Sequence, residues 1–106
     1  MQQTQRIGQS RGARRVTLWN RALNDAGFPA GTRIAILADT VARDLTILPD
    51  LDGSRKVSSV LNHGSRLPVI DLKANGKLDL SHLGDIGGSV TVSIEPGIIT
   101  ITRKAN

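Results

Sequence analysis

The sequence predicts a mainly β domain with short helices as a minor α+β component, and three observations predict it. Short runs rich in β-branched or alternating apolar residues recur at 33–37, 44–48, 67–72, 90–94 and 98–102. Turn chemistry separates them: Asp50-Leu51-Asp52-Gly53, Asn62-His63-Gly64-Ser65, Asn75-Gly76 and Glu95-Pro96-Gly97. The two halves also repeat one order of features. AGFPAGTRIAI, from Ala26 to Ile36, lies over LGDIGGSVTV, from Leu83 to Val92, with one residue missing. Each is followed by a turn and a short strand, Leu45-Thr46-Ile47 in the first half and Ile99-Thr100-Ile101 in the second. Two such units of about forty residues are each too small to fold alone and need a shared core.

Taken in order, the first fifteen residues are polar, with Gly8, Gly12 and a single large apolar residue, Ile7, beyond Met1. They predict a basic, flexible N-terminal arm, because so little apolar surface does not offset ordering entropy. Val16-Thr17-Leu18 predicts a short strand, and Trp19, one of two aromatic residues, is expected as a core anchor. Asn20 is placed to cap a short helix whose Ala22, Leu23 and Ala26 share one face. Gly27 stands where a left-handed residue ends a helix, Phe28 is its apolar companion, and Pro29 forbids continuation. Any small α+β domain uses such a helix-to-strand joint.

Residues 33–48 read as a hairpin turning at 39–43. The 49–54 stretch is the clearest boundary in the chain. Beyond it, residues 56–61 predict a strand, 62–65 a turn, and 67–72 a strand whose Pro68 favours its first residues or a sheet edge. Ala74-Asn75-Gly76 predicts a tight turn into an alternating strand, Lys77-Leu78-Asp79-Leu80. Ser81 is expected to cap one helical turn through His82 and Leu83. A glycine-rich turn then precedes two strands joined at Glu95-Pro96-Gly97. The organisation expected is therefore an arm at 1–15, a first hairpin unit at 16–50 and a second at 55–104, with 16–104 as one compact domain.

Composition sets the classes that remain. The 106 residues contain no cysteine, so there is no disulfide framework and no thiolate metal site. No apolar run reaches the length of a membrane span, and the first residues do not read as a signal peptide, so a cytoplasmic location is expected. Residues 1–33 hold six arginines against Asp25, whereas the rest holds eight basic and eight acidic side chains, so the net charge of +5 belongs to the first third. Contact with a polyanion and a solubilising tail are the two readings of that asymmetry. The guanidinium fork suits phosphate better than an ammonium does.

Each half resembles a swapped-hairpin unit of the AbrB/MazE/SymE kind. VIDLKANGKLDLS and LGDIGGSVTVSIEPGIITI are similar to the AbrB pattern: a hairpin, a short helix, a glycine turn and a closing hairpin. LWNRALNDAGFPAGTRIAILAD is closer to the SymE version, with its short helix ending in Ala-Gly-Phe. The sequence departs from the pattern at Ser81, where a proline is usual, and in the remnant of a first hairpin around residues 16–18. The resemblance implies an AbrB-like β-barrel, built here as an internal pseudo-dimer or as a homodimer. It also implies nucleic-acid binding, with DNA favoured over RNA. Lys73 and Lys77, flanking Asn75-Gly76, match the basic residues of the DNA-facing hairpin, and Arg14, Arg15 and Arg21 occupy the corresponding region of the first half.

The functional expectation is a small DNA-binding transcriptional regulator or antitoxin-like factor of bacterial or phage type, contacting nucleic acid through Arg11, Arg14, Arg15, Arg21, Lys73 and Lys77. An alternative is a protein-interaction module or mobile-element inhibitor that docks through a strand edge or the arm. A further alternative, an RNA-targeting toxin, rests on the SymE likeness alone. No catalytic residue, metal or cofactor is expected. His63 and His82 lack metal-ligand spacing, and the glycines at 84, 87, 88 and 97 do not form a dinucleotide fingerprint.

Overall fold

The computed structural model describes residues 1–74 and 78–104. They form a mainly β structure of ten strands in two antiparallel sheets, with one short helix and one 3-10 turn. The strands are β1 (Gln2–Arg6), β2 (Gly8–Ser10), β3 (Ala13–Trp19), β4 (Arg33–Asp39), β5 (Asp44–Pro49), β6 (Arg55–Lys56), β7 (Ser58–Asn62), β8 (Ser65–Lys73), β9 (Ser89–Glu95) and β10 (Ile98–Arg103). Helix α1 (Ala22–Asp25) joins β3 to β4, and the 3-10 turn (Ser81–Leu83) precedes β9. The larger sheet runs β1-β9-β10-β5-β4-β6 and the smaller β2-β3-β8-β7.

Period-two alternation decides what each sheet buries. Val16, Leu18, Ile70 and Leu72 point inward from the smaller sheet. Ile34, Leu45, Ile47, Val90, Val92, Ile94, Ile99 and Ile101 meet them from the larger one, in a single core that also takes in Leu23, Phe28, Leu80 and Leu83. The same alternation overturns the expected role of Trp19. It lies out of phase with Val16 and Leu18, and its side chain is 52% exposed.

Local chemistry explains the joints. The Asn20 carboxamide accepts from the Ala22 N–H at 2.9 Å. Helix α1 closes through Gly27 at φ +92°, with Phe28 N–H donating to Leu23 O at 2.8 Å and Gly27 N–H to Asn24 O at 3.2 Å. Those two bonds satisfy carbonyls that the last helical turn leaves free, and Phe28 and Leu23 are both fully buried. The Asp39 carboxylate accepts from the Val41 and Ala42 N–H groups, turning β4 into β5. At Gly53, a Cβ would stand 2.2 Å from the Ile34 carbonyl oxygen, so the close crossing of the link over β4 admits only glycine.

Residues 1–15 are part of the sheets rather than a flexible arm. β1 pairs with β9 from Gln2↔Ser93 to Arg6↔Ser89, and β2 forms a two-residue hairpin with β3. Ile7 is 1% exposed, and its N–H and C=O bond Gly88 O and Gly87 N at 2.8 Å each. Backbone pairing with a strand from the far end of the chain orders a segment whose own side chains carry little apolar signal.

A second expectation is also corrected. Leu78, Asp79 and Leu80 carry no strand pairing. The Asp79 carboxylate accepts the Ser81 N–H at 2.8 Å, a local bond that competes with a ladder, and this carboxylate replaces the expected Ser81 cap. The hairpin of the second half is instead β7–β8, turning at His63 (φ +49°) and Gly64 (φ +80°). The expected Asn75-Gly76 turn lies outside the described residues.

The two sheet orders have a common property. Exchanging β1–β5 for β6–β10 maps each order onto itself. β1 leaves its own half to pair with β9, and β6 leaves its half to pair with β4. Hydrogen bonds repeat with the strands: Val57 N–H to Thr32 O (2.9 Å) mirrors Ile7 N–H to Gly88 O (2.8 Å). Likewise Asp50 N–H to Arg33 O (2.9 Å) mirrors Lys104 N–H to Ser89 O (3.1 Å). Where β5 meets β10, Thr46 faces Thr100, its own equivalent in the repeat.

Candidate nucleic-acid interface

The basic residues expected to contact nucleic acid fall into different environments. Arg11 is at the tip of the β2–β3 hairpin at φ +53°, exposed, followed by Gly12 at φ +82°. Arg15 and Lys73 are cross-strand neighbours on the outer face of the smaller sheet. Between them stands Asp71. The Arg15 guanidinium grips its carboxylate through both oxygens, at 2.8 and 2.9 Å, Thr17 donates its hydroxyl at 3.1 Å, and Lys73 Nζ is 3.7 Å away. The Arg15 hydrogen bond holds the Asp71 carboxyl below the usual carboxylate range, with the Thr17 hydroxyl and the charges of Arg15 and Lys73 adding to it. Arg15 is thus a paired cation rather than a free phosphate ligand.

Arg14 is on the opposite face of β3, at the end of the core. Its Nε donates to Gly84 O at 2.7 Å and its Nη2 to the Asp85 carboxylate at 3.0 Å. Arg21 is exposed at the start of α1. Lys77 lies outside the described residues. The structure therefore brings Arg15 to Lys73 across a strand pair and ties Arg14 to the glycine-rich loop, while Arg11 and Arg21 stand on separate turns.

That loop organises a basic cluster which the sequence reading missed. Arg6 pairs with Ser89 across β1 and β9, and Arg103 pairs with Val90 across β10 and β9. Lys104 N–H bonds Ser89 O, and its Nζ reaches Thr4 Oγ1 at 3.3 Å. Arg103 N–H bonds Arg43 O at 3.1 Å, bringing a further cation's backbone alongside. Gly84, Gly87, Gly88, Ser89, Arg103 and Lys104 line an open cleft of about 270 Å³, with Asp85 on its rim. Gly84 (φ +124°) and Gly87 (φ +88°) take backbone conformations that L side chains rarely adopt, which is why this turn of the loop is built from glycine.

Counting charge by thirds of the chain hid this cluster. Arg103 and Lys104 read as a polar tail, and Arg6 as part of an arm. The signal available was their spacing from strands already identified: Arg103 ends β10 and Lys104 follows it directly.

The equivalent position under the strand exchange is different in charge. Arg33 and Lys56 stand there beside Asp50, in a cleft lined also by Gly31, Thr32, Pro49 and Leu51. Asp50 holds the place that Lys104 holds at the basic end, as the matching hydrogen bonds show. The two ends share a backbone frame and differ in side-chain charge.

The histidines are apart from this surface. His63 is exposed in a turn. His82 Nε2 is 2.9 Å from Asp44 O, so the proton sits on Nε2 and the buried Nδ1 has no partner among the described residues. Among the described residues no group of three or more His, Asp or Glu side chains is placed to hold a metal ion. Among the described residues no helix is long and apolar enough to cross a membrane. In comparisons with known proteins, no family model, no curated protein and no solved structure matches this chain.

Proposed function

We propose that this chain is a nucleic-acid-binding protein, a DNA-binding regulator or antitoxin-like factor, built as an internal pseudo-dimer of two swapped-hairpin units of the AbrB/MazE/SymE kind. The exchange of β1 and β6 between halves supports the architecture, since it is what interlocked units require. The observation that carries the function is the cluster of Arg6, Arg14, Arg103 and Lys104 around the Gly84–Ser89 loop. Asp85, whose side chain is 95% exposed, is the carboxylate paired with this cluster, at Arg14, and Asp79 is near enough to feel the Arg14 charge, so an incoming phosphate displaces one exposed ion pair. Arg11 on its hairpin tip extends the same kind of contact. With a single exposed tryptophan and no tyrosine, a base-stacking platform is absent from the reading, which favours duplex over single strands.

The test is a salt titration of binding to mixed duplex DNA, comparing the intact chain with Arg103→Ala/Lys104→Ala. Both substituted side chains are exposed, so the fold is retained. The expected outcome is binding that weakens steeply with salt, with the slope of log K against log salt falling by roughly 0.9 for each phosphate contact removed. No duplex binding by the intact chain at low salt sinks the proposal.

A further inference from the structure

The two ends of the molecule differ in more than charge. Strands β4 and β9 are equivalents of seven residues each, ending at Asp39 and Glu95. The turn after β9 is two residues, Pro96 and Gly97, closed by the Glu95↔Ile98 pair. The turn after β4 is four residues, 40–43, closed by the Asp39↔Asp44 pair. It carries two residues more than the shared frame requires, and it stands at the basic end. Arg103 N–H donates to Arg43 O at 3.1 Å, and Thr102 faces Asp44 across β10 and β5. Under the strand exchange the shorter turn falls at the end where Asp50 replaces Lys104. The longer turn is held from within, since the Asp39 carboxylate accepts from the Val41 and Ala42 N–H groups at 3.0 Å each. Its side chains are turned to solvent: Val41 is 94% exposed, and Thr40, Ala42 and Arg43 are exposed as well. Arg43 holds φ +56°, a conformation uncommon outside glycine.

We propose that the 40–43 turn is the base-reading element of the nucleic-acid site, entering the major groove of duplex DNA while Arg6, Arg14, Arg103 and Lys104 hold the flanking phosphates. This rests on the nucleic-acid reading above and adds to it the residues that choose sequence. Phosphate contacts position a protein without reading sequence, so sequence choice needs a second element that reaches base edges. The basic cluster supplies the first kind of contact, and the turn is the exposed element joined to it. Its chemistry suits base edges rather than phosphates. Val41 offers an apolar surface to a thymine methyl group, and Arg43 a fork to O6 and N7 of guanine. Asp39 and Asp44, at the base of the turn, oppose a phosphate laid there, whereas a carboxylate accepts from the amino group of cytosine. The major groove is about 12 Å wide and admits the end of a two-stranded ribbon. Val41 and Arg43 are therefore the specificity-determining residues.

The experiment enriches duplexes from a randomised DNA pool with the intact chain, then measures binding to the enriched duplex and to a scrambled one. The expected result is an enriched sequence bound at least about tenfold more tightly than the scrambled duplex. Val41→Ser and Arg43→Gly each reduce that ratio several-fold, and replacing residues 40–43 by the Pro-Gly turn of the other half abolishes it. In all three, the salt slope and the affinity for scrambled duplex stay as in the parent. Glycine suits the φ at position 43, and the shorter turn already closes the equivalent frame, so the fold is retained. Thermal melting checks this, and Val41→Ser decides alone if the shortened turn does not fold. Arg103→Ala/Lys104→Ala gives the opposite pattern, a lower slope with both duplexes weakened alike. Duplex binding without an enriched sequence overturns the inference and leaves the nucleic-acid reading standing. So do turn variants that keep full discrimination, or that weaken both duplexes equally with a lower slope, which makes the turn a phosphate contact. An intact chain that binds no duplex at low salt overturns both.

Discussion

Asp71 sets how much positive charge the outer face of the smaller sheet presents. Its carboxylate occupies the Arg15 fork and stands 3.7 Å from Lys73, so two of the cations expected to meet nucleic acid are already partnered. Asp71→Asn is expected to free both and to tighten duplex binding about 3- to 10-fold at low salt, with the gain vanishing as salt rises; filter binding at two salt concentrations checks it. The same variant changes the acid limb of stability. The folded carboxyl titrates below its unfolded value, so its contribution is complete above the unfolded pKa of about 4 and is lost as pH falls through the lower folded value. Chemical denaturation from pH 6 to about pH 2 should therefore show a shallower acid loss for the variant. Part of the loss remains, because the Ser81 backbone hydrogen bond also lowers Asp79. Neither pairing was legible in the sequence. Arg15 and Asp71 are brought together only by the β3–β8 register, which no local pattern encodes.

At the scale of elements, what could be read was what local chemistry decides. The α1 stop was visible because Gly27-Phe28-Pro29 is a complete set of instructions: a left-handed residue, an apolar companion and a helix breaker. The β4–β5 hairpin and the β9–β10 pair were visible from alternation and turn residues. β1 was not, since Gln-Gln-Thr-Gln-Arg has no apolar alternation and owes its strand to a partner some ninety residues away. The anchor of that element is Ile7, fully enclosed between β1 and β2. Ile7→Ala is expected to destabilise the protein by about 2–4 kcal/mol in urea unfolding. A substitution in a mobile arm would cost nothing measurable, so the experiment separates the two descriptions of residues 1–15. The error at Leu78–Leu80 has the opposite origin: alternation was present, but Asp79 spends its carboxylate on the Ser81 N–H and the segment turns into the core.

For the whole molecule, the sequence repeat indicated two related units, and the palindromic strand orders say how they are related in space. The candidate site does not obey that relation. Its backbone frame occurs twice, and its charge only once, because Lys104 at one end answers to Asp50 at the other. That asymmetry could not be read from a count of arginines along the chain. The exchange of first strands also makes the halves inseparable. Cleavage in the exposed link at Leu51-Asp52 is expected to leave a particle that elutes and melts as one body, since β1, β6 and the β3–β8 and β5–β10 pairs all bridge the cut. Size exclusion of the nicked protein followed by thermal melting checks this; two species separating without denaturant would contradict it.

The pairing of β1 with β9 has a bearing on synthesis. The first strand leaves the ribosome long before residues 89–95 exist, and nothing made in the interval is its partner. β3 pairs at once with β2 but waits for its second neighbour, β8. Native contacts are thus dominated by large sequence separations, which makes the search slow and leaves strand edges open while translation proceeds. A first strand of glutamines, threonine and arginine suits that wait: it is soluble when alone and has little tendency to stick to another nascent chain. The polarity that hid β1 in the sequence is what keeps the unfinished polypeptide from aggregating.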